Sequence, residues 1–201
     1  AIAEFYYFTG QAQKCSDLVE IYIMSSRLEL KLSACMLYVY SNLTLGNAKA
    51  SERGLEIIRE CLRKEMEAPT SERNTAYCVF AGYMGTVLLH LSTEELPDMK
   101  KYMSSLPQGL RIFAANVISH DLYLKGEYSR ALGICDAALF SCKEIYPVGM
   151  IYLYCVTAMC EISLKDQAEA EKAILTAWKL AVKDELIEPF IELHGLLQGL
   201  L

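Results

Sequence analysis

Histidine is scarce in this chain: three residues in 201, His90, His120 and His194. None has a second histidine at the spacing of a metal-ligating pair such as HExxH, so each reads as an ordinary packed or surface residue rather than a ligand or base. Basic side chains are also short in supply, 19 Lys and Arg against 25 Asp and Glu, for a net charge of -6. That deficit excludes a segment that wraps nucleic acid, because phosphate binding needs surplus Lys and Arg on one face. No eighteen-residue run is both apolar and free of charge, and the start AIAEFYYFTG lacks a basic region followed by a cleavage pattern. No membrane span or signal peptide is expected, and the chain reads as soluble and cytoplasmic. A GxxxxGK[ST] phosphate loop is missing too, as is any nucleophile-base or metal constellation, so neither a catalytic residue, a metal nor a cofactor is expected and the chain reads as no enzyme.

Cysteine is plentiful by contrast, at positions 15, 35, 61, 78, 135, 142, 155 and 160. These residues fall inside apolar helical runs of a chain large enough to need no staples, so they read as reduced, buried small hydrophobes. The spacings of Cys135 with Cys142 and of Cys155 with Cys160 are not those of CxxC metal sites. Glu94-Glu95 and Glu169 with Glu171 fit helix first turns, where acids meet the positive end of the macrodipole.

Proline is nearly confined to breaks. Pro69, Pro107 and Pro147 each precede a long helical pattern, where a missing N–H costs little. Period-two alternation is sparse, and IYLYCV at 151–156 is flanked by helical spacing, so the chain reads as all-α. SERNTAYCVFAGYMGTVLLHL predicts a long helix, after which Ser92-Thr93-Glu94-Glu95 is a capping-box signature opening a shorter one, with Pro97 in its early turns.

The stretch LYLKGEYSRALGICDAAL, residues 122–139, reads as helix, tight turn, helix, with Gly126 just past the first helix. Ala131, Cys135 and Ala138 fall at i, i+4 and i+7 of the second helix, a small-residue stripe that lets another backbone approach. Gly46 and Asp166 occupy comparable places, Ala170, Ile174 and Ala177 repeat the stripe, and Gly10 marks an earlier unit. A period of about 40 residues fits them, the mark of a helical solenoid.

Gly126, Tyr128, Ala131, Leu132, Cys135 and Ala138 resemble the tetratricopeptide repeat pattern. The resemblance implies a tetratricopeptide-like α-solenoid of antiparallel helix pairs over residues 1–201, with units 1–26, 27–69, 70–106, 107–146 and 147–188 and a C-terminal cap at 189–201. Residues 173–201, AILTAWKLAVKDELIEPFIELHGLLQGLL, resemble the end of the helical-repeat domain in LuxR-type bacterial transcription regulators of the maltose-regulator kind. Ala173, Ala177, Leu180 and Ala181 match the last helix, Glu188-Pro189-Phe190 a short turn, Glu192 an acidic position and Leu200-Leu201 the close; a glutamate stands where Arg is commoner in that turn. The nucleotide-binding and DNA-binding domains of such regulators are expected outside this chain.

In tetratricopeptide-like arrays the first helix of each unit lines the concave side. Counting back from Gly126 by that register gives Phe113, Asn116, His120 and Tyr123; counting back from Gly46 gives Ser33, Met36, Tyr40 and Leu43. Met36, Tyr40, Phe113, Asn116, His120 and Tyr123 are therefore the candidate ligand-binding residues, for a small-molecule effector or a protein or peptide partner in the concave groove. The same side chains also suit the core between helices, which most stripes at helical spacing fill. The expected function is regulatory: an effector-sensing or assembly domain acting through a DNA-binding domain outside the chain, with a generic tetratricopeptide-like interaction scaffold as the alternative. FYYF at the start and LLQGLL at the end are candidates for homodimer contact, since truncated solenoids leave end faces uncovered.

Overall fold

The computed structural model describes residues 1–142 and 146–200, Cys142 by its backbone alone. All regular structure among the described residues is helical, and IYLYCV lies within a helix. The chain forms two compact units, Ala1–Pro107 and Gln108–Leu201.

The first unit holds α1 (Ile2–Phe8), α2 (Ala12–Glu20), α3 (Leu28–Thr44), α4 (Ala48–Glu67), α5 (Glu72–Leu88) and a 3-10 helix (Met99–Ser105). Helix α3 is apolar on most sides and so occupies the centre, where it buries Leu32, Cys35, Met36, Val39 and Tyr40 against α1, α2, α4 and α5. Helix α4 is amphipathic: Ser51, Leu55, Ile58 and Leu62 are buried, while its charges other than Glu65 face outward. Glycine sets its distance from α5, because a Cβ built on Gly85 falls 2.9 Å from Leu55 Cδ1.

The link between α4 and α5 is tied by one buried carboxylate. Glu65 accepts from Thr70 N at 2.8 Å, Thr70 Oγ1 at 2.9 Å and Thr75 Oγ1 at 3.2 Å. Ser71 then caps α5, its Oγ accepting from Asn74 N.

The second unit holds α6 (Gln108–Leu124), α7 (Tyr128–Cys142), α8 (Pro147–Leu164), α9 (Gln167–Ala181) and α10 (Glu188–Leu193). Helix α8 is central, packing on α6, α7, α9 and α10. Among the described residues it is the one helix long and apolar enough to cross a membrane, and 56% of it is buried in the fold, as in a core helix. Its Gly149 lies against α6, where an added Cβ would stand 2.8 Å from Ile112 Cγ2. The small-residue stripes face inward too: Ala131, Cys135, Ala170 and Ala177 are fully buried.

One turn recurs. Gly10, Gly46, His90, Gly126 and Lys165 all have left-handed backbones, with φ of 75°, 75°, 54°, 76° and 66°. At each, the left-handed residue's N–H donates to the carbonyl three residues back and the next N–H donates to the carbonyl five back, as in Gly46 N to Leu43 O and Asn47 N to Asn42 O. This double bond is the Schellman closure of a helix end. Helices that precede these turns begin at residues 2, 28, 72, 108 and 147.

Two local expectations are corrected. Ser92 to Glu95 opens no helix: residues 91–98 carry no helical turn, and Ser92 Oγ accepts from Glu94 N, two residues on, in a local turn. The next helix in the chain is the short 3-10 segment, capped by Asp98, whose carboxylate accepts from Lys100 N, with Pro97 lying before it. Glu188-Pro189-Phe190 is not a turn but the start of α10, where proline is tolerated because first-turn N–H groups need no helical partner. Phe190 packs edge-on against Trp178 at 5.6 Å, and Tyr152 Oη donates to Glu192 Oε2 at 2.7 Å, so both hold α10 in place. Leu201 and the Cys142 side chain lie outside the described residues.

The described thiols are free. Burial pushes those of Cys35, Cys78 and Cys160 up to about 12. Cys61 is the half-buried member.

Candidate functional site

The residues singled out by register separate by unit. Met36 and Tyr40 lie in α3 of the first unit, 9% and 7% exposed. Tyr40 packs on Tyr7 of α1 with ring centroids 5.9 Å apart, and complete burial pushes its phenol well above the usual range. Ser33, one turn before Met36, shares a 2.5 Å hydrogen bond with Tyr77 of α5. This face of α3 therefore joins helices inside the unit.

Phe113, Asn116, His120 and Tyr123 lie along α6 of the second unit. Asn116 and His120 are buried, 7% and 5% exposed, whereas Phe113 and Tyr123 are half-buried. Rings continue along this face, His120 to Tyr123 at 6.3 Å and Tyr123 to Tyr128 at 5.5 Å. Asn116 Oδ1 is buried without a hydrogen-bond partner among the described residues, an arrangement that costs stability and is uncommon in interiors.

An open concavity lies elsewhere, in the first unit. A cleft of about 380 Å³ is bounded by the end of α3, the first half of α4 and the end of α5. Leu43, Leu55, Leu89 and Leu91 with Ala48 supply its apolar surface. The Gly46 turn sets Leu43 beside Ala48, and Gly85 lets α5 approach Leu55, so two glycines of different kinds shape the floor. Leu55 is buried, while Leu43 and Leu91 are 37% and 43% exposed.

Glu52, Glu56 and Arg59 form the charged wall. They stand at i, i+4 and i+7, one stripe of α4. All three are exposed, and none makes an ion pair or hydrogen bond with another described residue. Further along the same face the pattern differs: Arg63 pairs with Glu60 at 2.7 Å and Glu67 at 2.8 Å, and Lys64 with Glu60 at 3.0 Å. The later half of this face of α4 is internally neutralised and the earlier half is left to solvent or a partner.

Such a cleft has the chemistry of binding: an apolar floor for affinity and a few charges for orientation. Its lining contains no nucleophile and no histidine. Of its residues, register counting reached only Leu43. The charges were hidden in an ordinary amphipathic helix, and no sequence signal marked them, because their lack of partners depends on side chains elsewhere in the fold. No protein-family model matches this chain, and no curated protein matches it at a significant level.

Proposed function

We propose that this chain is the non-catalytic helical-repeat domain of a LuxR-type, maltose-regulator-like bacterial transcription regulator. In this reading the helix pairs stack as a tetratricopeptide-like α-solenoid with a period of about 40 residues. The supporting observation is the recurrent left-handed turn together with the packing around it. A first helix lies on both helices of the pair before it: α3 on α1 and α2, α5 on α3 and α4, α8 on α6 and α7. Each pair thereby hides its apolar face against a neighbour.

The domain works in the cytoplasm by population shift. An effector or partner that prefers one curvature of the array favours that state by its difference in affinity, and a DNA-binding domain outside the chain reads the result. Asn116, His120 and Tyr123 are the polar groups through which α6 would meet a small effector. The reading frame beyond codon 201 tests the assignment: a basic helix-turn-helix within ~70 residues supports it. A frame without one sinks it. The unpaired charges of the α4 cleft favour a second reading in that event, a generic scaffold for protein partners.

A further inference from the structure

We propose that the cleft of the first unit binds an amphipathic helix of a partner protein, basic along one flank, which completes the third helix pair. The inference rests on the helical-repeat reading and goes beyond it by naming the occupant.

The segment after the His90 turn is its basis. Beyond the turns at Gly10, Gly46, Gly126 and Lys165 the chain enters the α-helices α2, α4, α7 and α9, of 9, 20, 15 and 15 residues. Beyond His90 it runs without helix to Asp98 and then forms a 3-10 helix of 7 residues. Thr93, Met99 and Leu106 are buried, and Leu96 Cδ2 comes within 3.6 Å of a Cβ placed on Gly82. The segment is thus anchored further back along α5. Leu43, Leu91 just past α5, and the Glu52, Glu56 and Arg59 stripe of α4 stay exposed around the cleft.

The uncovered face dictates its occupant. Apolar side chains at i, i+3 or i+4, and i+7 of a helix suit the leucine floor. Glu52 and Glu56, one turn apart and without internal partners, call for Lys or Arg at matching spacing. Arg59, next in the stripe, calls for a carboxylate at the end of that row. From position 52 to 59 the stripe runs ~10 Å at 1.5 Å per residue, so about two turns of the partner make contact. Two acids and one base leave the wall net negative, which steers a basic helix toward it.

Fluorescence anisotropy of the full chain tests this with two labelled 14-residue peptides sharing one leucine stripe. One carries Lys on its flank and the other Glu at the same positions. The expected result is saturable binding of the Lys peptide and about tenfold weaker binding of the Glu peptide. E52K/E56K inverts that order, and L91D, at an exposed position that leaves the helical circular dichroism unchanged, loses both. Equal affinity for the two peptides, an order unchanged in E52K/E56K, or no saturable binding by the folded chain overturns the proposal. So does a concentration-dependent dimer that L91D abolishes, since a second copy is then the occupant. The regulator assignment fails by a separate observation, the reading frame beyond codon 201, so the two failures are distinguishable.

Discussion

Replacing Glu65 with glutamine keeps the shape of the side chain and removes its charge at the junction of α4 and α5. Burial alone raises this carboxyl, but hydrogen bonds from Thr70 N and Oγ1, Ser71 N and Thr75 Oγ1 outweigh it and hold it below the ordinary glutamate range. A folded pKa lower than the unfolded one stabilises the protein fully above the unfolded value, and the gain is lost as pH falls through the folded value. Hydrogen bonds to a charged group are worth ~1.5–3 kcal/mol, and Gln retains one carbonyl acceptor for the Thr70 and Thr75 donors. The expected cost of E65Q is therefore about 2 kcal/mol at pH 7. Urea denaturation at pH 7 and pH 3 measures it, with amide exchange at Thr70 and Ser71 as the local readout. Below the unfolded value that gain declines, so the gap between the two proteins should narrow from pH 7 to pH 3. A gap as wide at pH 3 as at pH 7, or Thr70 exchange that ignores the substitution, would refute the assignment of the stabilisation to this carboxylate.

The turns give opposite signs at equivalent places. Gly46→Ala and Gly126→Ala meet no atom within 4 Å, so each should cost the conformational ~1 kcal/mol of a left-handed alanine, while Lys165→Gly should gain about as much; urea midpoints decide. Gly149→Ala forces a methyl into Ile112, a branched and buried neighbour, and should destabilise by ~1–3 kcal/mol in calorimetry, with Ile112→Val restoring part of it. Gly85→Ala meets only the tip of Leu55, so its gain of ~1 kcal/mol in helix propensity should offset the contact and leave stability near that of the parent. The thiols of Cys35, Cys78 and Cys160, pushed up to about 12, should resist iodoacetamide at pH 8 until urea is added; rapid labelling in the native protein would contradict their burial.

Legibility tracked the strength of local chemistry. Gly10, Gly46 and Gly126 announce their turns because glycine adopts positive φ without steric cost. Asp166 announces the fourth as the capping residue of α9, its carboxylate accepting from Glu169 N, one position after left-handed Lys165. His90 makes the same turn with nothing in its side chain to mark it, so the sequence offered no landmark there. The capping-box letters at Ser92 to Glu95 then misled, since without apolar periodicity behind them they made only a local turn. Glu188-Pro189-Phe190 misled in reverse: the resemblance to the LuxR-type tail implied a turn where a helix starts.

The candidate site was less legible than the helices. A one-residue error rotates a helical face by ~100°, so register alone could not separate a groove wall from the commoner core position for Met36, Tyr40, Asn116 and His120. Their burial came from neighbours, Tyr7 over Tyr40 among them.

What the sequence by itself determined was the all-helical class and most of the tight turns, because helix periodicity, glycine conformational freedom and proline placement act within a few residues. Which faces are covered, which charges of α4 go unpaired, and that the chain between α5 and α6 forms only a short 3-10 helix were decided by tertiary structure. Those properties depend on side chains distant in the chain competing for the same apolar surface, and no window of local sequence contains both competitors.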